Sequence, residues 1–594
     1  MSDNILVAIA WPYANAEIHV GNITGSHLPG DIVARYHRLK GDRVLMVSGT
    51  DSHGTPITLK ADALGKSPET VYKEYHAGFL DLFQQLGLSY DLFTTTHTSN
   101  HFRVAQSIFL ALKENGYLYT AIRPQWYSSS AGRFLPDRYI EGTCYICGAE
   151  GTRSDQCDVC GNVLDPEKLL KPRSKLDGST PELRDTEHFD LDLSRLEPRV
   201  LEFLRERQSR MRHTVIGESL HKIESEGLKP RTITRDLDWG IPVPVEGWEN
   251  KSLYVWFEAV IGYLSAPVEW SSLTGQPEAW RDWWLNPDAK AFYFIGKDNI
   301  FFHTALWPAE LMGAGEQFME IFAAEPGPTL TLPYDVPANQ FMNMEAQKIS
   351  GSRNWAVWGR DFLTRYDPDP LRYYLTVNMP ENRDTDWSWA DFLARNNNEL
   401  VATWGNLVNR VLSFAYKHWE GKIPDPGDLR PADREIIAAV ARGFETVGGF
   451  IEVVKLRAAI NEAMRLAGEA NKYLDTQAPW FEVKSDKAAA AKTIYTAMRV
   501  IDMLKVLFSP FLPFTCERLN TYLGYTEPIF GVQTVETVQD DLGEHTALRY
   551  LPENAAGRWE PPAPLQPGQP FQKPKPLFKK LDPGIVDEEM ARLG

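Results

Sequence analysis

Four of the five cysteines stand in one short segment, at a spacing that suits a metal ion. Cys144 and Cys147 form one C-x-x-C pair, and Cys157 and Cys160 form a second pair after nine intervening residues. Each such turn can direct two thiolates at one ion about 2.3 Å away, and four thiolates give Zn²⁺ a closed tetrahedral site. Free buried thiols or two redox pairs are the alternatives, and neither explains four cysteines at this spacing. We therefore predict one structural Zn²⁺ with no open position for a substrate.

A second candidate for chemistry lies where a predicted strand gives way to a helix. His19, Gly21 and Asn22 occupy the first turn of that helix, where unpaired N–H groups and the positive end of the helix dipole suit a phosphate. His19 could donate a hydrogen bond as charge builds on that phosphate, and Gly21 lets a flat purine approach the backbone. The alternative is a histidine that only caps an ordinary β–α turn. Because the sequence has no G-x-x-x-x-G-K-[ST] loop, ATP would have to be bound in another way.

More than 300 residues later, a Gly/Ser loop carries Lys348, Ser350 and Ser352. A lysine with two hydroxyls on a flexible loop could neutralise a leaving pyrophosphate. A solvated surface loop is the alternative reading of this segment taken alone.

Together, these two segments resemble the paired nucleotide motifs of class I aminoacyl-tRNA synthetases, which are named HIGH and KMSKS. Five further strings narrow the resemblance to the methionyl-tRNA synthetase family. They occur in the family's order, and the similarity runs from about residue 5 to 520. The strings are AWPYAN at residues 10–15, GTDSHGTP at 49–56, DWGIPVP at 238–244, YVWFEAVIGY at 254–263 and FIGKD at 294–298.

The resemblance implies an enzyme that activates L-methionine with ATP and Mg²⁺ to methionyl-adenylate, then transfers it to the 3′ end of tRNA(Met), releasing AMP and pyrophosphate. The family's methionine-binding positions fall on Ala10, Trp11, Tyr13, Asp51, Trp256, Ala259, Tyr263 and His303. Its ATP-binding positions fall on His19, Gly21, Asn22, Lys297, Asp298 and Lys348. The catalytic roles go to His19, Asn22, Lys348, Ser350 and Ser352. The anticodon-reading positions are Asn406, Arg410 and Trp480.

The sequence departs from the family pattern at a few positions. Asn22 stands where many class I enzymes have a second histidine, and Gly351 stands where the second motif has its second lysine. Lys348 or Arg353 is then left to stabilise the pyrophosphate. In the pocket, Val260 replaces a common proline, and Asn299 replaces a frequent isoleucine.

The surrounding elements predict an α/β fold. An apolar run at residues 5–10 precedes helical spacing at 32–39, and a second run at 44–47 precedes residues 49–51. Such alternation predicts a parallel sheet with ligands at the carboxyl ends of its strands. Pro29 either restarts the first helix or kinks it. α/β features return with the apolar runs at 254–257 and 291–295. Helical patterns follow at 400–412, 432–449, 455–474 and 487–508.

We therefore expect a Rossmann-like parallel-sheet catalytic domain with an inserted zinc-knuckle connective domain, followed by an α-helical bundle that binds the anticodon. The expected boundaries are 1–115 and 231–340 for the two catalytic halves and 116–230 for the insertion. Residues 341–395 should form the KMSKS-like loop and stem-contact region. The helical anticodon domain should span 396–535, and a proline-rich extension should span 536–594.

The composition fits a globular protein of several domains. The chain has 594 residues, 43% of them hydrophobic, and a formal net charge of −17, which argues against non-specific coating of nucleic acid but not against a local basic face. No apolar stretch is long enough to cross a membrane, and no secretory signal is visible. We expect a cytoplasmic monomer whose partners are ATP, L-methionine and the initiator and elongator forms of tRNA(Met).

Four rival functions remain to be weighed. A synthetase for leucine, isoleucine or valine often needs a separate editing site, because one methylene discriminates by only ~1–3 kcal/mol, and residues 116–230 leave little room for one. A catalytically silent tRNA-binding paralogue draws its support from Gly351. A small-molecule adenylyltransferase would not explain the helical region, and a zinc-ribbon nucleic-acid binder would not explain the first 115 residues.

Overall fold

The computed structural model describes residues 2–136, 139–154, 157, 159–160, 164 and 166–594. Its N-terminal part alternates strands and helices, as the sequence predicts. A π-helical turn, Ile23–His27, joins the first two helices into one continuous rod, so Pro29 begins a regular helical turn rather than breaking it. The elements are β1 (Asn4–Ile9), α1 (Val20–Asn22), α2 (Leu28–Lys40), β2 (Arg43–Thr50), α3 (Thr55–Leu64), α4 (Pro68–Leu86), β3 (Leu92–Thr95) and α5 (Ser99–Glu114).

The insertion that follows contains two small sheets. Its elements and those that lead back to the main sheet are β4 (Leu118–Ser128), β5 (Arg133–Phe134), β6 (Ile140–Thr143), β7 (Thr152–Arg153), β8 (Leu170–Ser174), β9 (Glu182–Leu191), α6 (Glu197–Glu206), α7 (His213–Glu226), β10 (Arg231–Thr232), β11 (Thr234–Arg235) and β12 (Ser252–Leu253). One small sheet has the order β10-β9-β4-β5, and the other, β7-β6-β8, carries the cysteine pairs.

The chain then returns to the main sheet. β1 lies between two parallel partners, with Val7 opposite Phe292 on one side and Met46 on the other. Of the two apolar runs that mark this return, the one at 254–257 begins a helix and the one at 291–295 forms a strand. The elements are α8 (Val255–Leu273), α9 (Arg281–Trp284), β13 (Lys290–Gly296), α10 (Trp307–Ala314), α11 (Gln317–Ala323), β14 (Ala338–Asn339), β15 (Met342–Met344), α12 (Gly359–Leu363), α13 (Pro368–Val377) and β16 (Thr385–Trp387).

A helical bundle follows, and it confirms the predicted helices at 432–449, 455–474 and 487–508. The apolar stripe at 400–412 runs from a π-helical segment, Asn396–Gly405, into the next α-helix. The helices are α14 (Trp389–Arg395), α15 (Asn406–His418), α16 (Pro431–Glu452), α17 (Leu456–Gln477), α18 (Pro479–Ser485), α19 (Lys487–Phe508) and α20 (Pro513–Tyr522).

A β-hairpin after the bundle is the main difference from the sequence-based prediction. β17 (Val532–Asp540) and β18 (Gly543–Leu551) join the edge of the main sheet, so that its order is β14-β13-β1-β2-β3-β18-β17. Valines recur every third residue along β17, at 532, 535 and 538, and this period does not predict a strand. The proline-rich remainder is extended, as expected, and ends in α21 (Ile585–Met590).

The main sheet is covered on both faces, and the bundle shares the core of one face. Alternate residues of β1 pack into two different clusters: Val7 belongs to the cluster that reaches Leu412 and Leu507 of the bundle, whereas Ala8 belongs to the other. Arg372 links the same regions, because its buried guanidinium donates to Asp31 at 2.6 Å and to the Phe511 carbonyl at 2.8 Å. No helix in the described ranges is long and apolar enough to cross a membrane.

Candidate active site

A cavity of about 540 Å³ opens at the carboxyl ends of β1, β2 and β13. This position agrees with the general rule for open α/β sheets. Every residue predicted to bind methionine lines it: Ala10, Trp11, Tyr13, Asp51, Trp256, Ala259, Tyr263 and His303. Five of the six predicted ATP-binding residues line it as well: His19, Gly21, Asn22, Asp298 and Lys348. Val260 and Asn299, the two pocket departures, are also part of the wall.

Two glycines determine where the Trp11 ring lies. A Cβ added at Gly262 would stand 2.6 Å from the ring carbons of Trp11, and one at Gly49 would also collide with them. Both glycines therefore let the indole lie flat against β2 and α8. The indole forms one wall of the cavity. The size of the cavity therefore depends on Gly49 and Gly262, which carry no side chain.

Asp51 is a buried carboxylate that faces the cavity without a cationic partner. Its side chain is 2% exposed, and the only hydrogen bond recorded for it among the described residues is a long one, 3.4 Å, from the His53 amide. Burial and the nearby Glu258 carboxylate raise the pKa of Asp51 well above its ordinary value. A cationic group bound in the cavity would therefore stabilise the ionised form of the Asp51 carboxylate.

Glu258 lies behind Asp51 and is fully buried. It accepts hydrogen bonds from His53 at 2.8 Å and from His101 at 2.7 Å. Burial alone would raise the pKa of Glu258, but the two histidines lower it to about 2. The sequence analysis did not find this network, because its members are far apart in the chain and no local spacing connects them.

Tyr263 and His303 form a neutral pair in the wall of the cavity. His303 Nδ1 donates to the Asn299 carbonyl at 2.9 Å, so its Nε2 accepts the hydrogen bond from the Tyr263 hydroxyl at 2.8 Å. Burial lowers the pKa of His303 to about 4, which keeps the ring uncharged at neutral pH. Trp256 stacks on Phe302 at 4.4 Å. This side of the cavity therefore offers rings and a polarised hydroxyl, and no charge.

His19 caps the helix that begins at the cavity. Its Nδ1 accepts hydrogen bonds from the Gly21 and Asn22 amides at 3.1 and 3.3 Å, and the Asn22 side chain accepts from the His19 amide at 3.1 Å. Burial lowers the pKa of His19 to about 4. In a neutral ring whose Nδ1 accepts, the proton must be on Nε2. His19 can therefore donate one hydrogen bond from Nε2.

The Lys348 loop is joined to this helix start, although the two are more than 300 residues apart. The Val20 amide donates to the Val357 carbonyl at 3.0 Å, and the Gly359 amide donates to the Ile18 carbonyl at 2.9 Å. The exposed Lys348 lines the cavity. A phosphate at the helix start would therefore lie near the positive charge of Lys348.

The remaining predicted residues of these motifs lie elsewhere. Lys297 is not among the residues that line the cavity, since its ammonium pairs with Asp384 at 2.7 Å. Ser350 is not among them either, and its amide donates to the Trp355 carbonyl at 2.9 Å. The backbone of Ser352 lies in the turn Gly351–Arg353, but its side chain is outside the described part of the structure.

The predicted cysteine cluster is assembled. The four sulfurs of Cys144, Cys147, Cys157 and Cys160 all lie within 4.8 Å of one another, and two of them, those of Cys147 and Cys157, are 3.6 Å apart. Sulfurs placed 2.3 Å from the centre of a tetrahedron would lie about 3.8 Å apart. The donor set and its spacing fit a tetrahedral Zn²⁺ site.

The predicted anticodon residues also lie together, on the bundle. Asn406 is exposed at the start of α15. One turn further, the Arg410 guanidinium lies 4.4 Å from the centre of the Trp480 ring and pairs with Asp475 at 3.1 Å.

Two parts of the chain match known protein families. Residues 5–412 match the family described as tRNA synthetases class I (M), and residues 423–593 match the anticodon binding domain of methionyl tRNA ligase. The methionine–tRNA ligase of Thermomicrobium roseum is 51% identical over 595 residues, covering 100% of this chain and 99% of that protein. The enzyme of the same name from Roseiflexus castenholzii is 52% identical over 602 residues, again covering 100% and 99%.

A solved structure supports the fold. Mycobacterium tuberculosis methionyl-tRNA synthetase in complex with methionyl-adenylate superposes with a TM-score of 0.75. It is 24% identical and covers 97% of this chain and 100% of its own.

Proposed function

The chain belongs to the methionyl-tRNA synthetases of class I, and we propose that the cavity at the ends of β1, β2 and β13 is where it makes methionyl-adenylate. The overall reaction consumes L-methionine, ATP and tRNA(Met) and releases AMP and pyrophosphate. The observation that carries the proposal is that three features face the same cavity. They are the buried Asp51 carboxylate, which has no cationic partner among the described residues, a neutral aromatic wall, and a helix start with a nearby lysine. Neither a silent tRNA-binding paralogue nor a zinc-ribbon nucleic-acid binder requires all three.

Methionine would bind between Asp51 and the aromatic side chains that line the cavity. Its ammonium would pair with Asp51, which lies in a place where no other cation reaches it among the described residues. Its thioether would lie among Trp11, Trp256 and Tyr263, where each sulfur–aromatic contact contributes roughly 0.3–1.5 kcal/mol. Because the Tyr263 hydroxyl already donates to His303, it presents its lone pairs and ring edge rather than a proton.

ATP would bind at the helix start. The His19 Nε2–H would donate to the α-phosphate at the positive end of the helix dipole, and Asp298 would accept from the ribose hydroxyls. Gly296 leaves the room that Asp298 needs, because a Cβ there would lie 2.7 Å from its carboxylate. Mg²⁺ would arrive with ATP and neutralise phosphate charge. Lys297 was also predicted to bind ATP, but its ammonium pairs with Asp384, which supports a structural role for this residue.

The chemistry would proceed by positioning and electrostatics. The methionine carboxylate oxygen attacks the α-phosphorus, the bond to the bridging oxygen breaks, and pyrophosphate leaves with that electron pair. His19 and Lys348 supply hydrogen bonding and charge where the negative charge grows. The terminal adenosine hydroxyl of tRNA then attacks the adenylate carbonyl, and AMP leaves.

The other parts of the chain would serve tRNA. We assign residues 116–230 to a connective domain stapled by one structural Zn²⁺, residues 341–395 to the loop and stem-contact region, and residues 396–535 to the anticodon domain. We assign residues 1–115 and 231–340 to the catalytic domain and residues 536–594 to the extension. Because β17 begins at Val532, the last residues of the predicted anticodon domain belong instead to the hairpin that extends the main sheet. Asn406, Arg410 and Trp480 would read the anticodon of initiator and elongator tRNA(Met). We propose a monomer that acts in the cytoplasm, where its tRNA substrate is found.

Two cations, Lys348 and Arg353, are candidates for stabilising the leaving pyrophosphate. Lys348 lines the cavity, whereas Arg353 is not among the lining residues. We expect Lys348→Ala to lower the rate of methionine-dependent exchange of labelled pyrophosphate into ATP about 10²–10³-fold, which is the usual loss for one donor to a developing oxyanion. Arg353→Ala serves as the matched control and should cost less than about tenfold. A larger loss for Arg353→Ala than for Lys348→Ala would reverse this assignment.

A further inference from the structure

The surface between α15 and α18 continues well beyond the three predicted anticodon residues. Two cation–π contacts mark its ends: Arg410 lies 4.4 Å from the Trp480 ring, and the Lys487 ammonium lies 5.7 Å from the Trp419 ring. The rise along α15 from Arg410 to Trp419, nine steps of 1.5 Å, is about 13 Å. We call this surface, formed by Arg410, Phe414, Lys417, Trp419, Trp480, Phe481 and Lys487, the α15–α18 strip.

Phe481 is the feature of the strip that folding does not explain. It is 71% exposed, more than any other described Phe, Tyr or Trp side chain. It directly follows Trp480 on a helix of seven residues. Single exposed apolar residues are common and need no explanation, but this one stands beside the ring expected to stack on an anticodon base.

Cations and further rings continue the strip at its other end. Phe414 packs against the ring of His418 at 4.3 Å, and both belong to the face of α15 that carries Arg410. Lys417 and Lys487 are exposed. Both lie close to the His418 ring, since after burial they are what lowers its pKa. In a chain of net charge −17, positive charges interleaved with rings are the arrangement that binds single-stranded nucleic acid.

The nearby carboxylates are engaged elsewhere. Asp475 pairs with Arg410, Asp486 accepts from the Ala488 and Ala489 amides at the start of α19, and Glu482 lies 3.7 Å from Arg430. Among the described residues, none of these three carboxylates forms an ion pair with Lys417 or Lys487.

We propose that Phe481 is a second stacking platform, which binds an unpaired tRNA base next to the base on Trp480, and that Lys487 and Lys417 bind the phosphates that follow. This inference rests on the proposed function, in which Trp480 binds the anticodon loop. It adds a residue for base stacking and a direction, along α15 toward Trp419, for the bound strand.

Substitutions at Phe481 separate stacking from mere apolar contact. We expect Phe481→Leu to raise the KM for tRNA in methionylation about fivefold or more, because one stacked base contributes about 1–3 kcal/mol. Phe481→Tyr keeps the ring and should restore a KM near that of the unaltered protein. Methionine-dependent pyrophosphate exchange, which needs no tRNA, reports for each variant whether the active site is intact.

Lys487→Ala tests the phosphate contact. It should reduce the slope of log KM for tRNA against log salt concentration by about 0.7, the value for one contact to a single strand. Lys472→Ala is the matched control, because Lys472 is a lysine of α17 with 75% exposure, and its slope should stay unchanged.

The outcomes distinguish this inference from the function on which it rests. If Trp480→Ala raises the KM for tRNA but Phe481→Leu does not, the second platform is wrong and the anticodon assignment stands. If neither variant changes this KM, the anticodon assignment itself is wrong. Equal loss in Phe481→Leu and Phe481→Tyr, or equal slopes for Lys487→Ala and Lys472→Ala, would also overturn the inference.

Discussion

At the scale of single residues, the ionised Asp51 carboxylate favours methionine binding but lowers the stability of the folded protein when methionine is absent. A carboxyl group whose pKa is raised on folding binds its proton more tightly in the native state than in the unfolded chain. Stability therefore falls as pH rises from the unfolded value near 3.8 through the raised native value. The ionised carboxylate is costly until the ammonium of methionine pairs with it.

Asp51→Asn should weaken methionine binding and stabilise the folded protein in the absence of methionine. We expect the KM for methionine in pyrophosphate exchange to rise about 10–100-fold, since a hydrogen bond to a charged group contributes about 1.5–3 kcal/mol. The melting temperature without methionine should be at least that of the unaltered protein, with a difference that grows between pH 5 and pH 8. Thermal unfolding at both pH values checks the sign. A variant that melts lower at pH 8 and binds methionine normally would show that Asp51 is not the ammonium partner.

The pocket residues show the limit of reading chemistry from sequence. The family resemblance predicted eight methionine-binding positions, and all eight line one cavity. The resemblance did not predict that Lys297 pairs with Asp384, or that Glu258 accepts hydrogen bonds from two histidines. Those contacts join residues up to 205 positions apart, and local patterns carry no information about them.

At the scale of elements, the cysteine knuckle has little core of its own. Its described buried apolar cluster contains eight residues, and a unit this small usually needs a metal or disulfides. We expect one zinc per chain by elemental analysis, and we expect Cys144→Ser to lose it. Limited proteolysis should then cut within residues 139–176 while the bundle stays protected. A chain that contains no zinc and resists the protease in this segment would contradict the assignment.

The elements that could be predicted are those with strong local periodicity. The helices α16, α17 and α19 each carry an apolar stripe at helical spacing, so the sequence located them within a few residues. The β17–β18 hairpin could not be found in this way. β18 joins the sheet by pairing with β3, more than 400 residues earlier in the chain, and β17 pairs with β18. The period of three along β17 conceals the alternation of a strand.

At the scale of the whole molecule, distant sites are fixed on one framework. The core of one sheet face continues into the bundle, and the buried Arg372 connects α2 with the end of α19. The hairpin also closes the sheet from the C-terminal side, where His545 donates to Glu269 of α8 at 3.0 Å. The cavity wall on α8 is therefore positioned by parts of the chain that come after the bundle.

The central claim is that the cavity activates methionine, and pyrophosphate exchange into ATP tests it most directly. The assay would use the purified full chain with its zinc, each of the twenty amino acids in turn, and no tRNA. We predict strong exchange with methionine alone, because an unbranched thioether suits the neutral wall formed by Trp11, Trp256 and Tyr263. Exchange led by leucine, isoleucine or valine, or no exchange by a cooperatively melting protein, would contradict the account.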